Sequence, residues 1–438
     1  MPAWEDAVGR GLRIVALVVA VLAAYLALWP VPIEPVAWRA PASPGYTGPH
    51  AANQRLSAAQ AIPVGPEIGP EHIDFGPDGK LYTGVLSGAV LRMDPDGSAL
   101  ETVVHTGGRP LGLDFTADGQ LVIADAIKGL LALQPDGTLR VLADSVDGDP
   151  IRYANAVVIA RDGLMYFTDA TRRFAPAELG TFDAALLDVI EHSCTGRVLA
   201  YEPATNHTSV VISGLCFPNG VALSGDERHL FIAETGEYRI WKVQASARGL
   251  EAGQLAPAGD QRARVVAANL PGFPDNLTRS AEGRLWTGLT KPRSPTIDGM
   301  SGRPWLRALT LRLPRSLWPV PPAYGHVIAF DEEGHVVADL QDPAGSIEET
   351  SGVTEHGGRL YVHSLHATAF GVIDAGTAQL APRGSPDGLE PVDGVHHRDE
   401  RGHHGHGQRD DDRNGIGAFL VEHGASSKAL AKAGPVGT

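Results

Sequence analysis

The chain has 438 residues, 43% of them apolar, and 36 basic against 51 acidic residues give a formal net charge of −15. That length allows one large repeat domain or two ordinary ones around a substantial core, while the acidic balance weighs against a nucleic-acid backbone partner and favours cations or neutral ligands. With 52 Gly and 33 Pro the chain must turn often, and its two cysteines are too few for a disulfide scaffold or a thiolate metal site.

Residues 1–30 carry the first predicted element. Leu12 to Trp29 is an apolar run of 18 residues interrupted only by Arg13, which is short for a membrane span and long for a signal-peptide core. Arg10 and Arg13 precede the run, so the positive-inside rule leaves the N-terminus cytoplasmic and sends the rest of the chain across. The expectation is a single-pass anchor with an extracytoplasmic domain; the alternative is a cleaved signal peptide with Ala40-Pro41-Ala42 as a poor cleavage site. Residues 31–62, rich in Pro, Ala and Gly, read as an exposed linker.

From residue 63 to 375 one local pattern returns: an apolar strand, an acidic turn with Gly, and a second strand. It is written as Phe75-Gly76-Pro77-Asp78-Gly79-Lys80-Leu81-Tyr82, and again over Phe115 to Val122, Ile159 to Tyr166, Leu223 to Phe231 and Arg279 to Trp286. A sixth copy runs from Gly352 to Val362. Six copies spaced about 40 to 75 residues apart, each able to supply four short strands, predict an all-β fold, a six-bladed β-propeller. Two insertions interrupt the rhythm. Ala175 to His192 has helical apolar spacing, and Leu289 to Tyr324 holds seven prolines with Trp305 and Trp318. Both follow signature strands, so they either cover the channel mouth or pack on the outer blades. Cys194 and Cys216 flank two strand-like runs joined near Thr205; a hairpin there would set them opposite each other, as a pair or as two thiols. Residues 376–438, with His396, His397, His403, His404 and His406 among Gly, Asp and Arg, read as a disordered tail.

The repeat also carries a register. Seven residues before the turn acids Asp78, Asp162, Asp226 and Glu282 stand Glu71, Asn155, Asn219 and Asp275; before Asp118 stands Leu111. In a propeller the equivalent positions of different blades converge on the channel, and two carboxylates with two amides suit a hard divalent cation such as calcium. The competing reading is that Asn and Asp before a strand only cap turns. Four at one register favour a shared ion.

The runs Val122-Ile123-Ala124-Asp125-Ala126, Phe167-Thr168-Asp169-Ala170-Thr171-Arg172-Arg173-Phe174, Phe217-Pro218-Asn219-Gly220-Val221-Ala222-Leu223 and Leu270-Pro271-Gly272-Phe273-Pro274-Asp275-Asn276 resemble the core of strictosidine synthase-like proteins, over about residues 63 to 374. The resemblance is to their membrane-anchored branch, within the gluconolactonase, regucalcin and paraoxonase group of six-bladed propellers. It implies a channel calcium, or another divalent ion, on Glu71, Asn155, Asn219 and Asp275, with Asn276 added as in paraoxonases. It implies an enzyme acting on a small-molecule lactone or aryl ester, with Asp275 activating water. A condensing activity like that of strictosidine synthase would instead use Glu348 or its neighbour Glu349. His72, beside a ligand, is a weaker catalytic candidate, and a turn histidine touching only solvent is its alternative. A non-enzymatic propeller with a structural ion remains the third possibility.

Overall fold

The computed structural model describes residues 3–255 and 260–380. The chain divides into a unit of Met1–Gly384 and a second of Ser385–Thr438; the latter, and with it nearly all of the His-rich tail, lies outside the described residues.

Six sheets of four or five strands follow one another along the chain, the sixth taking its outer strand from the chain's beginning. The inner strands are, with blades numbered in chain order, Ile73–Phe75, Pro110–Phe115, Ala154–Ile159, Pro218–Leu223, Gly272–Arg279 and Thr350–His356. The repeated signature makes the turn from each inner strand to the second. Gly79, Gly119, Gly163 and Gly283 take φ of +73°, +87°, +87° and +85° there, a left-handed conformation that glycine adopts without strain. Apolar side chains alternate with the pleat, so one blade's face packs on the next; Val122, Ala124, Leu130 and Ala132 of blade two meet Val157, Phe167 and Leu199 of blade three. Inner strands approach so closely that a Cβ at Gly220 would lie 2.0 Å from the Leu277 nitrogen.

The ring closes by mixing its ends. Gln60–Pro63 forms the outer strand of blade six, antiparallel to Ala369–Asp374, with Gln60 opposite Val372 and Pro63 opposite Ala369. This seals the only gap through which a circular sheet array could unzip. Helix α1 (Ala3–Leu28) is long and apolar enough, by length and composition, to cross a membrane. Residues 31–62 are mostly exposed but are pinned to the propeller at three buried points. Ile33, His50 and Leu56 are buried against the propeller because each finds an apolar or polar partner on a blade or insertion.

The insertion after blade three's second strand is helical: α2 (Pro176–Leu179) and α3 (Thr181–Glu191) separate at Gly180, whose φ is +78°. The Pro-rich insertion of blade five holds α4 (Pro295–Gly299) and α5 (Pro304–Arg312), each opened by its proline, where a missing N–H does no harm. The hairpin expected between the cysteines forms, Gly196 pairing with Leu215, and Cys194 and Cys216 are disulfide-bonded.

Candidate metal and substrate site in the channel

Every inner strand from blade two to blade six breaks its ladder at an equivalent place, and that of blade five also between Gly272 and Pro274. The register shifts between Pro110 and Gly112, Ala154 and Val157, Pro218 and Val221, Pro274 and Leu277, and Thr350 and Val353. A bulge there re-aims the side chain it contains. The residues so placed are Leu111, Asn155, Asn219, Asp275 and Ser351, and Glu71 holds the matching position before the blade-one strand. Sequence spacing finds five of these six positions, four of them with an oxygen side chain. Ser351 escapes it because the blade-six turn, Gly357-Gly358, is shorter and carries no acid, so counting back from a turn residue fails.

Glu71, Asn155, Asn219 and Asp275 converge on the floor of a cavity of about 350 Å³. All four are buried. The Oδ1 atoms of Asn155, Asn219 and Asp275, and that of Asn276, have no hydrogen-bond partner. An orphaned buried oxygen is unfavourable by about 1–3 kcal/mol, and four together fit a cation with oxygen ligands. Neighbouring hydroxyls hold the bulges from behind: Thr168 donates to the Asn219 carbonyl at 2.7 Å and Thr235 to that of Pro274 at 2.7 Å. Burial pushes the Asp275 carboxyl well above the ordinary carboxylate range, helped by the negative charge of Glu71, and burial likewise raises Glu71.

Arg109 was not foreseen. It stands two residues before Leu111, on the blade whose register position lacks an oxygen, and its Nη2 lies 3.1 Å from Glu71 Oε2 and 3.1 Å from the Gly69 carbonyl. One guanidinium therefore partly neutralises the floor from the side of the missing ligand.

Other expected residues fall elsewhere. Asn276 follows Asp275, and Nδ2 donates to the Glu71 carbonyl at 2.8 Å, so it sits beneath the ring of oxygens rather than lining the cavity. His72 likewise alternates away from Glu71 and lines a second cavity at the other end of the channel; its Nδ1 accepts the Leu113 N–H at 3.3 Å, and burial pushes its pKa down to about 4. It is thus neither a catalytic group of the upper cavity nor a turn residue in solvent. Glu348 does not line the cavity; Glu349 does. Glu349 is in αL backbone, φ +51°, which turns its side chain where an extended residue would not place it. Burial alone would raise its carboxyl, but the His366 hydrogen bond and Lys291, 2.9 Å away, hold it at about 2.

Above this floor the walls are Tyr153, Phe217, Phe273 and Tyr238. The roof comes from the two insertions: Phe182, Leu186 and Val189 of α3, Ile297 of α4, Thr310 of α5, and the Trp318 to Pro321 segment. An apolar chamber with a few convergent polar groups at its base is the usual form of a small-molecule site.

A six-bladed propeller whose channel is ringed by oxygen side chains belongs to the gluconolactonase-type propellers. The sequence pattern described as "SMP-30/Gluconolactonase/LRE-like region" matches residues 76–295, and "Strictosidine synthase-like, N-terminal" matches residues 48–93. The chain is 34% identical over 314 residues to Protein STRICTOSIDINE SYNTHASE-LIKE 13 of Arabidopsis thaliana, covering 64% of this chain and 74% of that protein. It is 30% identical over 379 residues to the adipocyte plasma membrane-associated protein of Homo sapiens, covering 81% and 86%. A gluconolactonase from Xanthomonas campestris has the same fold, with a TM-score of 0.51 at 19% identity over 77% of this chain and 99% of that one. A calcium-binding regucalcin from Agrobacterium tumefaciens gives 0.50 at 16% identity over 72% and 93%. The chain is a member of the strictosidine synthase-like family.

Proposed function

We propose that the protein is a membrane-anchored, divalent-cation-dependent hydrolase of lactones or aryl esters, with calcium as the ion. The observation that carries this reading is the set of unpartnered buried oxygens on Asn155, Asn219 and Asp275 at the base of an apolar cavity. Glu71, Asn155, Asn219 and Asp275 would hold the ion, with Asn276 completing the set from below. A bound calcium supplies Lewis-acid polarisation of an ester carbonyl and stabilises the oxyanion that forms. The chain's own groups do the rest. Tyr153, Phe217 and the α3 side chains bind the apolar part of the substrate and exclude bulk water. The Asp275 carboxylate, beside the ion it helps to hold, accepts the proton of the attacking water.

Glu349 is an ionised carboxylate at about 2, a weak base near neutrality, and it is already committed to Lys291 and His366. This favours a role in shaping the cavity wall over the amine-to-aldehyde proton transfers of a condensing enzyme. Membrane attachment is supported by α1 and by its surroundings. Arg312 of α5 donates to the Trp29 carbonyl at 2.6 Å, and the roof elements expose Phe182, Trp305, Leu317 and Val320. The reading puts the roof against the bilayer and the propeller on the extracytoplasmic side.

The test is calcium titration of the detergent-solubilised chain with a lactone and an aryl ester as substrates, repeated with Asp275→Ala and Asn219→Ala. Calcium-dependent turnover that falls about 100-fold or more in both variants is expected. Turnover undiminished by chelator would overturn the role of the ion.

A further inference from the structure

A second metal-ligating cluster lies outside the channel, where the segment after the membrane helix crosses blade five. Residues Gly48–His50 form a single 3-10 turn. That turn delivers the His50 ring to the two outer strands of the blade, Gly325–Phe330 and Val336–Asp342. His50 Nδ1 is 2.8 Å from Asp339 Oδ2, and His326 Nε2 is 2.9 Å from the same oxygen. The three ligand atoms lie within 4.8 Å of one another, and all three residues are buried.

We propose that His50, His326 and Asp339 bind a divalent transition ion, with zinc as the natural choice, which clips the juxtamembrane segment to the propeller. An ion about 2.1 Å from each of two ligands in a tetrahedral site holds those ligands about 3.4 Å apart, so the two nitrogen-to-oxygen separations here, now hydrogen bonds, need open by only about half an ångström to admit one. Two imidazoles and one carboxylate select zinc or cobalt over calcium and magnesium, which prefer oxygen alone. The carboxylate is oriented from behind as metal-binding carboxylates are: Gln341 Nε2 donates to Asp339 Oδ1 at 2.6 Å and Asn53 Nδ2 at 3.1 Å, which leaves Oδ2 toward the histidines. Three protein ligands leave a position open. The Tyr46 ring packs 5.8 Å from that of His326 and covers this side of the cluster, and a water would take the open position. When the ion binds, each ring turns a lone pair to the metal in place of an N–H to Asp339: a neutral imidazole does so by carrying its proton on the other ring nitrogen, and a protonated one by releasing a proton to solvent.

The measurement uses the full chain in detergent with His396, His397, His403, His404, His406 and His423 each replaced by Gln, so that no tail imidazole can bind. Calcium in millimolar excess occupies the channel. Stripped protein is titrated with cobalt and then zinc. The expected result is one cobalt per chain with visible d–d absorption and nitrogen couplings from two imidazoles. Zinc should displace it and raise the melting temperature. In His50→Gln, and in Asp339→Asn, which keeps an acceptor oxygen and the shape of the side chain, zinc affinity should fall about 100-fold. Cobalt binding without imidazole couplings, or zinc binding undiminished in a folded variant of either kind, overturns the proposal and leaves a hydrogen-bonded clamp. Should His50→Gln fail to fold, Asp339→Asn decides.

Discussion

Arg109 sets the electrostatics of the channel. Its guanidinium is one of two things that can neutralise Glu71, the other being a cation, and it is buried beside the carboxylate it serves. Removing it by Arg109→Met leaves Glu71 without a fixed counter-charge, so the site should depend more on its ion. Calcium affinity is expected to rise roughly tenfold, equivalent to about 1.4 kcal/mol. The melting temperature in chelator should fall, because a buried unpaired carboxylate is strongly destabilising. Thermal melts with and without calcium check both signs. Asp188 on α3 tests burial without a partner. Its carboxyl is pushed up to about 7 by burial, against a hydrogen bond from Thr171, and its Oδ2 is unpartnered. Unfolded, the same group titrates near about 3.9. Between those values the folded chain holds the proton and the unfolded chain does not, so stability falls as pH rises through this window. Asp188→Asn should therefore change little near pH 4 and stabilise by ~1–3 kcal/mol at neutral pH. Melting curves across that range that run parallel for the two proteins would contradict it.

Among elements, the bulged inner strand accounts for the site and helix α3 for the cavity above it. The bulge explains why Asn155, Asn219 and Asp275 face the channel, although a regular strand would distribute neighbours to alternate faces. Helix α3 ends at Glu191, and Cys194 then ties its exit to Cys216 at the mouth of blade four. The bond closes a separation of 22 residues. A loop of that size gives a disulfide worth about 3 kcal/mol. The Cys194→Ser, Cys216→Ser double variant should lose about that much and should show faster amide exchange over α3. Equal exchange over α3 in the two proteins would show that Phe182, Leu187 and the apolar contacts of the roof hold the helix unaided. The prolines of 289–324 were legible as an interruption, with the channel mouth and the outer blades both open as its place; which of them an insertion covers depends on contacts far away in sequence.

At the scale of the whole molecule, closure by Gln60–Pro63 makes the ring one cooperative object. Removal of residues 1–30 should leave a folded propeller. Removal of residues 1–63 takes away the outer strand of blade six, exposes the edge of Ala369–Asp374, and should lower the melting temperature by about ten degrees or more or end cooperative unfolding. Circular dichroism melts of the two truncations make the comparison. In intact cells, added protease should remove the propeller if it faces outward as proposed.

Local sequence determined the repeat and its register. Each blade writes the same strand and turn from its own residues, and a spacing of seven finds Glu71, Asn155, Asn219 and Asp275 without knowledge of any other blade. Apolar patterning likewise sufficed for the N-terminal apolar helix and for the helical insertion at 175–192. Tertiary structure alone decided what faces what. Arg109 meets Glu71 across 38 residues, and His50 meets Asp339 across 289. His72 turns to the far end of the channel, and Glu349 takes the cavity position in place of Glu348. The physical reason is that a period in the chain records local conformation. The direction of a bulged or left-handed residue, and the partner it finds, are set by closing six sheets into a ring.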